Sequence, residues 1–259
     1  MTEADLFART VSAIRALVPA GQFVCDLKNP SVSADMDLLE RMIGEGRPAE
    51  TVRLWQRPKS LVTSRRLAQR AEFVQASRES ARRGWPVEIR QSAGLTVAHH
   101  AGVLNIAHLV TYPDPSAAVS LSFVYDSLLA LLIGACRELG IETDSGSVAG
   151  AYCDGSQNLR FGGRKLAGAS ARLVRRGDRT GLLSHASLTV SGEVGKDVAA
   201  VRAFEQSLGL QADYDPSAHC SLEDALASMS YPPSRSSSVP EGSGPSFRSS
   251  LGEIPNFSL

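Results

Sequence analysis

The stretch from Gly155 to Ala171, GSQNLRFGGRKLAGASA, sets Lys165 inside a framework of glycines and small residues that a solvated lysine would not need. Glycine lets the main chain approach a ligand closely and take up turns that other residues resist. An ammonium on so narrow a backbone site reaches an acyl or phosphoryl oxygen inside a pocket. Glycines also punctuate hairpins, so the block reads either as a solvated Arg-Lys turn or as a pocket wall carrying Lys165. The β-prone pieces around it, Asn158 to Phe161, Leu166 to Val174 and Leu182 to Val190, are separated by glycine-containing turns and predict an antiparallel or mixed sheet.

Upstream, Leu6, Val11, Ile14 and Leu17 have amphipathic helical spacing, and Ser33 is placed to cap a second helix running to Ile43. Val52 with Leu54, and Leu61 with Val62, read as two short strands separated by Pro58; a helix follows Thr63 and stops at Gly84. PVEIR then alternates Val87 and Ile89 with Glu88 and Arg90, as a strand does. A Gly/Ser/His loop leads to a strand at Leu104 to Val110, a turn at Pro113 to Pro115 and a long helix at Val119 to Leu139. Helices near Val198 to Leu208 and Leu222 to Met229 close the folded region. Because helices are not regularly interleaved between strands, the order predicts an α+β sandwich of a mixed or antiparallel sheet with helices, rather than a doubly wound sheet. One domain over residues 1–230 is expected, followed by a Ser/Pro/Gly-rich, flexible tail at 231–259.

Twenty-seven basic and 27 acidic residues cancel, which argues against nucleic acid as the main partner. Cys25, Cys136, Cys153 and Cys220 lie far apart without a CxxC pair, so neither structural zinc nor a disulfide framework is expected, and no metal site is assigned. The N-terminus lacks the order of a secretory signal. The apolar run at Val119 to Leu139 is broken by Asp126, Gly134 and Arg137, so no membrane partner and a cytoplasmic setting are expected. Walker-type, HExxH and GxSxG motifs are absent.

Three blocks in order resemble the biotin/lipoate A/B protein ligase superfamily, most closely the lipoate-protein ligase A-like proteins: RQSAGLTVAHHAGVLN at 90–105, GSQNLRFGGRKLAGASARL at 155–173 and LLSHASLTV at 182–190. The resemblance implies a class II synthetase or biotin-protein-ligase-like catalytic fold. It implies ATP-dependent activation of lipoate, octanoate or a related small-molecule carboxylate to an acyl adenylate, with Mg²⁺ accompanying ATP. Transfer to a lysine of a lipoyl-type carrier domain would follow. Lys165 would be the catalytic residue, stabilising charge on the acyl carbonyl and bridging phosphate oxygen. Gly163 and Gly168 would permit close backbone approach, Arg90 would meet a carboxylate or phosphate, and Asn158 would orient the nucleotide or a metal-bound water. Ser92, Ala93, Gly94 and Leu95 would line the substrate site, with His99 and His185 nearby. Leu95, Val97, Leu104 and Leu166 would contribute to an apolar acyl channel or to ordinary core.

The chain departs from the family pattern where three glycines become Ala93, Gly94 and Leu95, and where His100 replaces an aspartate. A leucine at a position needing positive φ would cost strain or fill the cavity. Two other readings therefore stand beside the ligase. One is an ATP-independent octanoyl or lipoyl transferase with a cysteine nucleophile, for which Cys153 is nearest the lysine block; its neighbour Asp154 makes it a poor thiolate by local sequence. The other is a non-catalytic small-molecule-binding member of the fold. The serine-rich tail does not stand in for the accessory C-terminal domain of some lipoate ligases, which leaves room for a separate accessory protein.

Overall fold

The computed structural model describes residues 1–27, 31–47, 49–92, 94–112 and 121–230. In chain order the elements are α1 (Glu3–Ala16), β1 (Phe23–Asp26), α2 (Ala34–Glu45), β2 (Ala49–Trp55), β3 (Ser60–Ser64), α3 (Arg65–Ala68), α4 (Phe73–Arg82), β4 (Val87–Arg90), β5 (Val97–His99) and β6 (Val103–Tyr112). They continue with α5 (Leu121–Glu138), β7 (Asp144–Gly146), β8 (Asn158–Phe161), β9 (Arg164–Arg176), β10 (Arg179–Thr189), α6 (Val194–Ser207) and α7 (Leu222–Ser230). The helix expected after Thr63 is split into α3 and α4, and β1 and β7 had no counterpart in the sequence reading. The expected 113–115 turn and the 231–259 tail lie outside the described residues.

Seven strands form one sheet in the order β1-β2-β6-β10-β9-β8-β7, antiparallel except for β1 on β2. A smaller sheet, β4-β3-β5, pairs β3 parallel to β4 and antiparallel to β5. This is the mixed α+β architecture that the order of elements predicts. Alternation assigns the two faces of the large sheet. Leu54, Leu104, Ile106 and Leu188 point to one face, where they pack with Leu128 and Leu132 of α5, Leu6 and Ile14 of α1 and Leu222 of α7. Their neighbours Trp55, Asn105 and Ser187 point to the other face and share one transverse row with Gly168, through the pairings Trp55↔Asn105, Asn105↔Ser187 and Ser187↔Gly168. A second core joins the small sheet to α4 and α6 through Leu61, Ala98, Val198, Val201 and Phe204.

Local signals explain the ends of these elements. Thr2 and Asp5 form a capping box at the start of α1, satisfying two otherwise free amides. Ser33 stands at the N-cap position of α2, but its hydroxyl donates to Asp37 Oδ2 at 3.2 Å instead of accepting from the helix backbone. The β8–β9 hairpin turns on Gly162 and Gly163, with φ 55° and 76°, the two left-handed residues a tight two-residue turn requires.

Candidate active site

Lys165 lies on β9 with only 5% of its surface exposed. Its Nζ donates to the carbonyl oxygens of Tyr152, at 2.7 Å, and Cys153, at 3.0 Å. The amine is thus aimed inward, at the main chain of the loop between β7 and β8. Burial, the dominant influence, lowers its pKa to about 8. Gly168 gives the lysine its room: a Cβ there would fall 3.0 Å from Nζ and 3.1 Å from Cε.

Among the described residues Cys153 alone has a positive φ without being glycine, at 46°. That conformation costs an L-residue about 1–2 kcal/mol, and it persists where surrounding contacts over-determine it. Here those contacts are explicit. The amide of Asn158 reaches Gly155 O at 2.6 Å, Asp154 Oδ1 at 2.7 Å and Gly146 O at 3.3 Å. Asp154 Oδ1 also accepts from the Val148 amide at 2.9 Å. The Tyr152 amide donates to Nε2 of His219 at 3.2 Å, and the two rings stack at 4.4 Å.

Held in this way, Cys153 turns its sulfur toward the 90–95 segment. The Leu95 amide donates to Sγ at 3.3 Å, and the Arg90 guanidinium is also within hydrogen-bonding reach of the thiol. Arg90 is buried and anchored by donation to Val62 O at 2.9 Å and Leu95 O at 2.6 Å. Gly94, at φ 106°, lets these groups meet, since a Cβ would lie 2.8 Å from Arg90 Nη2 and 3.3 Å from Cys153 Sγ. Asp154, expected from its place beside Cys153 to disfavour a thiolate there, is engaged elsewhere. The carboxylate binds the Val148 amide and Asn158, while Arg90 and a backbone N–H meet the sulfur.

From Cys153 a narrow pocket of about 50 Å³ runs between the two sheets, lined by Val62, Arg90, Val97, His99, Gly168 and His185 among others. Burial, reinforced by Arg90, holds His99 and His185 neutral, with pKa values of about 3. His185 Nε2 pairs with Ser92 Oγ at 3.0 Å, and His99 Nε2 with Ser187 Oγ at 3.1 Å.

Other expected site residues fall elsewhere. Gly163 is an exposed turn residue with nothing within 4 Å of an added Cβ, and it supports the hairpin. The Asn158 amide nitrogen is spent on the cysteine loop. Leu95 needs no positive φ, and its side chain packs on the α4–α6 core, leaving the pocket unplugged. Val97 lines the pocket, whereas Leu104 and Leu166 belong to the core behind the sheet. His100 accepts from the Gly102 amide and pairs with Asp197 of α6 at 3.0 Å, tying down the β5–β6 turn. Ala93 lies outside the described residues. Trp55, Asn105 and Ser187 of the pocket, and His219 beneath Tyr152, went unnoticed in the sequence because only strand register and chain return bring them together. Among the described residues no three His, Cys, Asp or Glu side chains gather as metal ligands, and no helix is long and apolar enough to cross a membrane.

Comparison with known proteins places the fold in a family. Residues 31–241 match the model of the lipoyl protein ligase A/B catalytic domain. An uncharacterized protein of Cupriavidus necator is 34% identical over 190 residues, covering 68% of this chain and 74% of that protein. The octanoyl-[GcvH]:protein N-octanoyltransferase of Geobacillus kaustophilus is 29% identical over 177 residues, covering 68% of this chain but only 60% of the transferase. The fold matches lipoate-protein ligase A bound with ATP, with a TM-score of 0.58 at 17% identity over 78% of this chain and 77% of the other. It also matches a T. acidophilum putative lipoate protein ligase with bound lipoic acid, with a TM-score of 0.51 at 16% identity over 75% and 88%. A family match spanning most of the sequence, on a fold shared with lipoate ligases, shows that the chain belongs to the lipoyl protein ligase A/B catalytic domain family.

Proposed function

We propose that this protein transfers an octanoyl-type, medium-chain acyl group from one carrier-protein lysine to another through a thioester on Cys153. The observation that carries the reading is the thiol itself. It is fixed at a strained φ by Lys165 and Asn158 and set against the Leu95 amide and Arg90 at the mouth of the pocket. Similarity to an octanoyl-[GcvH]:protein N-octanoyltransferase supports it.

In the first half-reaction the Cys153 thiolate attacks the carbonyl carbon of the donor amide, and the C–N electron pair leaves with the donor lysine nitrogen, which takes up a proton. Two protons of the Lys165 ammonium are held by main-chain carbonyls, and the third serves the developing oxyanion or the leaving amine. In the second half the acceptor amine attacks the thioester, its proton passes to neutral Lys165, and the thiolate is released. A pKa of about 8 populates both forms of Lys165 near neutral pH, as an acid in one direction and a base in the other requires. Amide is exchanged for amide, so the cycle needs no nucleotide.

Adenylation finds less support in these residues. Asp154, the carboxylate in the cysteine loop, is engaged by Val148 and Asn158. No step is assigned to ATP or Mg²⁺.

The test is transfer from an octanoylated carrier domain to an unmodified one without ATP. The wild type should transfer and Cys153→Ala should not. Transfer that requires free octanoate and ATP, and survives Cys153→Ala, would restore the ligase reading.

A further inference from the structure

The row of residues flooring the pocket is polar in its middle, which a plain hydrocarbon chain does not require. Ser187 Oγ donates to Asn105 Oδ1 at 2.8 Å and so accepts from His99 Nε2 at 3.1 Å. That places the proton of neutral His99 on Nε2 and leaves Nδ1 an acceptor. His99 and Asn105 are 3% and 2% exposed, and neither His99 Nδ1 nor Asn105 Nδ2 has a hydrogen-bond partner among the described residues. Both residues line the pocket, so its lining includes one side chain with an unmet acceptor and one with an unmet donor. Reversing the polarity of the chain merely exchanges their roles. Buried polar atoms left without partners cost about 1–3 kcal/mol each.

We infer that the pocket selects an acyl chain bearing a hydroxyl on its distal half, which gives its proton to His99 and accepts one from Asn105. This inference rests on the acyl-transfer reading and adds the substrate's chemical class. Register places the polar pair along the chain. Gly168, beside the Lys165 amine, is separated from Asn105 by Ser187 in the same transverse row. Two strand spacings of about 4.8 Å make roughly 10 Å. An extended chain with C–C bonds of about 1.5 Å advances about 1.3 Å per carbon. The polar pair therefore lies seven to eight carbons along, close to the far end of an octanoyl group. Trp55 closes that end, its ring edge-on to His99 at 5.7 Å between centroids.

The experiment measures binding and not turnover, so that its failure is separable from failure of the cysteine mechanism. Octanoate, 7-hydroxyoctanoate and 8-hydroxyoctanoate are titrated calorimetrically into the full-length Cys153→Ala protein. A hydroxylated acid should bind at least about fivefold more tightly than octanoate, as one additional satisfied buried pair implies. Asn105→Leu should erase or reverse that preference, and Ser187→Ala, a milder change that frees both partners, should weaken it. Equal or tighter binding of octanoate to the Asn105-containing pocket overturns the inference, whatever the variants do, because water would then suffice for the two atoms. Absence of an adduct on Cys153 in the wild type would instead overturn the acyl-transfer reading, leaving these binding ratios valid as measurements of the pocket.

Discussion

Replacing Lys165 by methionine should separate the cost of a buried ammonium from its use. The folded-state pKa of about 8 lies below the ordinary lysine value of 10.5, so the charged form is penalised by folding. At about 1.36 kcal/mol per pKa unit the penalty is roughly 3 kcal/mol at pH 7. It is fully present below the folded pKa and disappears as pH rises past the unfolded one, because between these values the unfolded chain binds more protons. By pH 9.5 about 1.4 kcal/mol remains, so removing the amine removes about 2 kcal/mol of pH dependence. Urea unfolding of wild type and Lys165→Met at the two pH values reads this directly. Wild type should gain about 2 kcal/mol relative to the variant on going from pH 7 to 9.5. The same variant should lose on the order of 10²- to 10⁴-fold in the acyl-transfer rate, as loss of a general acid–base group does. Parallel pH dependence in the two proteins would mean that the ammonium is solvated, and the site built on it would have to be abandoned.

Three further outcomes follow from the same geometry. Cys153→Gly should relieve a left-handed backbone and stabilise the fold by about 1 kcal/mol while abolishing transfer; a destabilised variant would show that the loop bears no strain. Asn158→Ala removes the amide that holds Gly146, Asp154 and Gly155, and should cost about 1–3 kcal/mol and lower kcat far more than it raises KM; a pure KM effect would reassign Asn158 to ligand contact. Gly94→Ala places a Cβ 2.8 Å from Arg90 Nη2 at φ 106°, so acylation in a single turnover should slow without a change in the folded far-ultraviolet spectrum, and an unchanged rate would refute the proposed Arg90–Cys153 packing.

The sequence is most readable where local chemistry dictates structure. The Gly162-Gly163 pair announces the β8–β9 hairpin, and of the two readings open for Lys165 the fold takes the buried one, with Gly168 leaving room for its side chain. In Val87 to Arg90 the alternation correctly separates two faces but cannot say which is inward. The fold exposes Ile89 by 43% and buries Arg90 to 7%, because Arg90 finds carbonyls on β3 and at Leu95. The surroundings of Cys153 are not legible from its neighbour in the sequence. Sequence adjacency to Asp154 implies repulsion of a thiolate, whereas the left-handed turn directs the carboxylate to Val148 and the sulfur to Arg90. His219 has no local signal, since it reaches Tyr152 only when the segment before α7 returns beside β9 at Lys165. The polar floor of the pocket depends on register across β2, β6, β10 and β9, which alternation within any one strand does not specify.

The central claim is that Cys153 carries the acyl group. Peptide mass analysis after incubating wild-type protein with an octanoylated carrier domain, in the absence of ATP, examines it most directly. The account predicts one octanoyl mass on the Cys153 peptide, released by hydroxylamine and discharged by an unmodified carrier domain. An unmodified Cys153 peptide under conditions where acyl groups are being transferred would contradict it.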